Sequence, residues 1–136
     1  MEVKYFQDEE KGITVCKVTI NILNFDLSGA KKLLKKMNLQ EDMDILYGVE
    51  AILRRSVERR YQDIFHDHEL TFTGIARLHP SDDFIPEYGK RLAYKKAMKR
   101  YHKAMARAYE DSMLVFEEMR VLTKALAGDE RMEAGV

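Results

Sequence analysis

The stretch RRSVERR sets four guanidinium groups, Arg54, Arg55, Arg59 and Arg60, within seven residues. Guanidinium stays charged at any working pH and grips phosphate or carboxylate through two parallel N–H bonds, so an anion site is the chemistry these residues could do. On a helix the spacing places Arg55 beside Arg59. The same charges equally suit a solvated helix end, where cations face the negative pole of the dipole. A second basic block lies downstream: residues 90–107 hold Lys90, Arg91, Lys95, Lys96, Lys99, Arg100, Lys103 and Arg107 and no acid. Acids return at Glu110, Asp111, Glu117 and Glu118. Sorting of this kind fits a track for nucleic acid, with Tyr88, Tyr94 and Tyr101 nearby for stacking, or a pairing of antiparallel helices in which basic half meets acidic half.

Other chemistry has less support. FHDHE offers His66 and His68 with Asp67 and Glu69, but an H-x-H pair without a third ligand at a recognisable spacing does not make a metal site, and none is assigned. Cys16 is the only cysteine, so no disulfide forms within the chain, and its place among alternating apolar residues makes it a small core residue. No glycine-rich phosphate loop, nucleophile elbow or paired-carboxylate motif is present, which favours a binding protein over an enzyme and implies no cofactor. Net charge is zero, so attraction to any anion must come from local segregation of charge. With no signal-peptide pattern and no long apolar run, a cytoplasmic protein without a membrane partner is expected.

The elements that must position these residues follow from periodicity. Residues 1–7 and 13–23 have strand character around the polar turn DEEKG, and Cys16, Val18, Ile20 and Ile22 alternate with Lys17, Thr19 and Asn21. Asp26 or Ser28 can cap a short helix bearing Leu33, Leu34 and Met37 and ending near Asn38. A longer helix is predicted over 41–65 from Leu46, Val49, Leu53, Val57 and Ile64, with Glu41, Asp42 and Asp44 at its positive end. Residues 69–79 alternate again, Leu70, Phe72, Gly74, Ala76 and Leu78 against Thr71, Thr73, Ile75, Arg77 and His79. Pro86 then suits the first turn of a last helix. The expected class is α+β: a small antiparallel sheet in the order ββ-α-α-β-α, one domain over 1–127, and a flexible tail over 128–136.

The last helix carries the most regular pattern. Tyr94, Met98, Tyr101, Met105, Ala108, Ser112, Val115, Met119, Leu122 and Leu126 recur in steps of four and three, a heptad seam with Ser112 as its polar member. Without proline or glycine from 90 to 127, that helix would run about 60 Å, longer than a compact domain of this size is wide. A homo-oligomer, most simply an antiparallel dimer, is therefore expected to cover Tyr94, Met98, Tyr101, Met105, Val115, Met119 and Leu122. The competing arrangement folds the 41–65 helix back over the seam.

Between strand and helix lies GIARLHPSDDFIPEYGKRLAYKKA. Asp82 and Asp83 favour the helix start, Phe84 and Ile85 can staple the turn, and Gly89 lets the helix approach the strand, so the junction is first a packing device. Arg77 and His79 on the non-core face, with Lys90 and Arg91, could also frame a pocket for a phosphate-bearing ligand. The pattern of Ala76, Arg77, Pro80, Asp82, Asp83 and Phe84, then Gly89, Leu92, Ala93 and Ala97, resembles a strand-turn-helix signature of small phage and prophage proteins. Among these it is similar to the anti-Thoeris sponges. The resemblance implies a non-enzymatic counter-defence protein that sequesters an anionic nucleotide signal as an oligomer in the host cytoplasm. A nucleic-acid-binding module using 90–107, or a protein that blocks a host factor, are the alternatives.

Overall fold

The alternation in the sequence becomes a three-stranded antiparallel sheet in a computed structural model of the chain, which describes residues 1–24, 27–37, 43–64 and 66–135. Strands β1 (Glu2–Asp8), β2 (Ile13–Asn21) and β3 (Glu69–Arg77) lie in that order, with β2 at the centre. Tyr5, Cys16 and Gly74 form one cross-strand row, and Phe6, Val15 and Ile75 form the next, on the opposite face. Thr14, Cys16, Val18 and Ile20 of β2 and Leu70, Phe72, Gly74 and Ala76 of β3 are buried, the face expected from period two. The opposite face is open, with Phe6 53% exposed.

Helices α1 (Ser28–Lys36), α2 (Met43–Arg60) and α3 (Pro86–Glu133) complete the α+β fold. Ser28 is the first helical residue rather than a cap; Leu27 occupies the cap position without a side-chain bond. Asp26, Asn38, Glu41, Asp42 and Phe65 fall outside the described residues. α2 ends at Arg60, short of the predicted 65, and Ile64 is exposed beyond it. The strand predicted to reach Leu23 stops at Asn21 and tightens into a 3₁₀ turn, Ile22–Asn24. Residues 66–69 close a turn. His66 and Glu69 exchange backbone hydrogen bonds, and Asp67 and His68 both take positive φ, the two-residue hairpin turn that matches strand twist.

α3 spans 48 residues, about 72 Å at 1.5 Å per residue. It continues past Gly128 to Glu133, so most of the segment expected as a tail is helical. Pro86 begins it and Ile85 precedes it in an extended conformation. Its buried line is Ala93, Ala97, Ala104, Ala108 and Ser112, small residues that let the helix lie close to the sheet. One core cluster joins Cys16, Val18 and Ala76 to Ala93 and Ala97. The other joins Ile20, Ile22, Leu70 and Phe72 to Leu53 and Val57 of α2 and Ala104 and Ala108 of α3.

The heptad seam divides near Ser112. Met98, Tyr101 and Met105 pack against the chain's own core, with Tyr101 edge-on to Phe72 at 5.8 Å. From Met98 to Met105 the chain's own core covers the seam, because α3 lies across β2 and β3 there, whereas Tyr94 at the start of the seam is exposed. At Ser112 the fold-back of α2 takes over: the hydroxyl oxygens of Ser56 and Ser112 lie 3.1 Å apart, so that one donates to the other, and the accepting hydroxyl gives its single proton to the carbonyl four residues earlier on its own helix. Beyond that point Met119, Leu122 and Leu126 are exposed.

Cys16 is fully buried opposite Tyr5 of β1, and burial pushes its thiol above the ordinary range, disfavouring the thiolate. Its reaction with a water-soluble disulfide reagent at neutral pH is expected to be at least a hundredfold slower in the native protein than in denaturant. Equal rates would show that the contact between α3 and the sheet opens freely.

Candidate anion-binding groove

Gly74 and Gly89 set how close α3 comes to the sheet. A Cβ on Gly74 would overlap the carbonyl oxygen of Ala93 and stand 2.5 Å from the amide nitrogen of Ala97. One on Gly89 would stand 2.5 Å from the hydroxyl oxygen of Thr14. Gln7 anchors the same end, its Nε2 donating to that hydroxyl at 3.1 Å and to the Pro86 carbonyl at 3.0 Å. With the Gly74 contact fixed, the rotation of α3 about its axis is fixed too. The positions that then lie along the outer edge of β3 are 96, 99, 100 and 103.

There the helix and the strand edge enclose a groove of about 330 Å³ lined by Gly74, Ile75, Lys96, Lys99, Arg100 and Lys103. All four charged residues lining it are cations. Lys96 donates its ammonium to the Ile75 carbonyl at 3.0 Å, which blunts the strand edge and holds this charge at the groove wall. Lys99, Arg100 and Lys103 are exposed, and none forms an ion pair among the described residues. Exposed backbone and unpaired ammonium and guanidinium groups on one wall offer several donors to one phosphate-bearing ligand.

The residues first singled out for anion binding are dispersed. Arg54 gives its Nη2 to Glu50 at 2.6 Å, and its buried Nε has no hydrogen-bond partner among the described residues. Arg60 grips Asp111 with two bonds of 2.7 and 3.1 Å, and this guanidinium holds the Asp111 carboxyl below the usual carboxylate range. Arg55 and Arg59 instead line a groove of about 360 Å³ between α2 and α3. The frame expected from Arg77, His79, Lys90 and Arg91 is not gathered in one place. Lys90 turns toward β1, its ammonium 5.7 Å from the centre of the Tyr5 ring and 3.7 Å from Glu87. His79 bonds the Ser81 hydroxyl at 2.6 Å in a groove shared with Glu9, Glu10, Asp82 and Asp83, acids that oppose an anion. Arg77 lies at the end of β3, and Arg91 is exposed on α3.

Sequence reasoning found the lysines as a charge block but not as a face, although their steps of three, one and three place them together on a helix. It did not link them to Gly74 and Ile75. Among the described residues no group of three or more His, Cys, Asp or Glu side chains could hold a metal ion, and no helix is long and apolar enough to cross a membrane. No family model matches the chain, and no match is found among curated proteins or solved structures.

Proposed function

We propose that the protein binds an anionic nucleotide in the groove between β3 and α3 and holds it without chemical change. The observation that carries this is the unopposed set Lys96, Lys99, Arg100 and Lys103 beside an exposed strand edge. A volume of about 330 Å³ suits one small ligand. Retention without turnover amounts to sequestration, the role implied by the likeness of the junction to anti-Thoeris sponges. Isothermal titration against cyclic ADP-ribose isomers, cyclic dinucleotides and linear nucleotides at near-physiological salt is expected to give a dissociation constant of about 10 µM or tighter for at least one of them, roughly −7 kcal/mol. No heat with any of them overturns the proposal.

A second reading, nucleic acid, draws on Arg107, which continues the row 96, 99/100, 103 beyond the groove at helical spacing. On a polyanion track, affinity for duplexes falls steeply with salt, by about 0.9 in log–log slope for each phosphate neutralised. Duplex binding with that slope and no nucleotide heat would select it.

A further inference from the structure

The geometry points to a second copy of this chain as the occupant of the groove between α2 and α3, its own α3 lying there antiparallel in a two-fold dimer. From 116 to 127 every residue of α3 is exposed, including Phe116, Met119, Val121, Leu122 and Leu126. The seam side of this stretch, Met119, Leu122 and Leu126, continues into the groove floor, formed by Ala51, Ile52, Val115 and Met119. The seam that the sheet covers in the first half of the helix thus emerges in the second half beside a ready trough.

Register and charge identify what fits. In an antiparallel pair, first and fourth heptad positions face one another across the seam. A two-fold axis between Met119 and Leu122 sets Met119 against Leu122 of the second copy and Val115 against Leu126 of the second copy. The same register carries the other chain's last turns, with Asp129, Glu130 and Glu133, to the end of the groove where Arg55 and Arg59 stand. Neither arginine pairs with an acid among the described residues. Of the groove's own acids, Asp111 is neutralised by Arg60, and Glu118 faces Thr123 of the second copy.

Extent also favours a copy of this helix. The free half of α3, about 33 Å long and about 10 Å across, offers roughly 500 Å² on one side. The walls contributed by α2 bring this toward the roughly 800 Å² per partner of a stable interface. The whole-helix pairing of basic 90–107 with acidic 110–118 is not open to the chain, since Met98, Tyr101 and Met105 are taken up by its own core.

Sedimentation equilibrium at 10–100 µM loading (on the order set by typical interfaces) is expected to give twice the 15.9 kDa chain mass. Leu122→Glu, at an exposed position beside the axis, is expected to return the mass to a single chain with an unchanged circular dichroism spectrum. Arg55→Glu/Arg59→Glu should weaken the dimer at least tenfold, and adding Asp129→Arg/Glu130→Arg should restore it. Mixing Val115→Cys with Leu126→Cys chains is expected to give the mixed disulfide in preference to either like pair. A wild-type chain that stays at 15.9 kDa, a Leu122→Glu dimer, or like-with-like crosslinks each overturns the proposal.

Discussion

Gly74→Ala is expected to cost about 3 kcal/mol or more, the upper end of the range for adding a methyl to a full core, and Gly74→Val to prevent folding at ordinary temperature. The added carbon meets the backbone of Ala93 and Ala97, atoms that cannot rotate aside as a side-chain tip can. Relief requires α3 to lift from the sheet, which uncovers Cys16, Val18 and Ala76 together. Gly48→Ala is the matched control: it lies within α2, a Cβ there meets nothing within 4 Å, and alanine's higher helix propensity should make it neutral or stabilising by up to about 1 kcal/mol. Urea unfolding followed by circular dichroism measures both. Equal midpoints for Gly74→Ala and wild type would contradict the packing of α3 on β3 and with it the groove.

The second large effect is on binding. Lys99→Glu/Lys103→Glu should raise the dissociation constant for the bound nucleotide at least a hundredfold, since two charge-assisted hydrogen bonds of about 1.5–3 kcal/mol each are lost and each tenfold corresponds to about 1.4 kcal/mol. Both side chains are exposed, so the fold should be unaffected. Lys31→Glu/Lys35→Glu, a change of equal charge on α1, should leave affinity within about threefold, because these exposed lysines do not line the groove and salt screens exposed charges that make no direct contact. Equal losses in the two double variants, read by titration calorimetry, would mean that affinity follows net charge rather than the groove.

Much of this fold was legible because period-two alternation speaks plainly where one sheet face is buried. Cys16, Val18 and Ile20, and Leu70, Phe72 and Ala76, lie where that alternation put them. Helix α2 was equally plain from Leu46, Leu53 and Val57, whereas its end was not: Tyr61 still donates to the Val57 carbonyl before the chain turns, and nothing in RRYQDIF marks the stop. Alanine was the ambiguous residue. Ala93, Ala97 and Ala104 form, with Ala108 of the seam itself, the buried line of small residues, but their small side chains were outweighed in the pattern by the Met and Tyr positions of the seam. Only the close approach at Gly74, a tertiary fact, shows why small residues belong there.

That approach also explains why the candidate site was half seen. Which side of a basic helix meets a strand edge depends on how the helix is turned, and a charge block does not say. The arginine cluster RRSVERR failed as one site for a related reason, since Glu50 and Asp111 claim two of its members and the other two open onto the groove between helices.

The most direct measurement is lysine footprinting: modification with an amine reagent, with and without saturating nucleotide, read residue by residue by mass spectrometry. Protection of Lys99 and Lys103 by at least fivefold, a loss of accessibility expected for ammonium groups buried against phosphate, with Lys31, Lys32, Lys35 and Lys36 unchanged, is the predicted result. Bound nucleotide with Lys99 and Lys103 as reactive as in the free protein would contradict it.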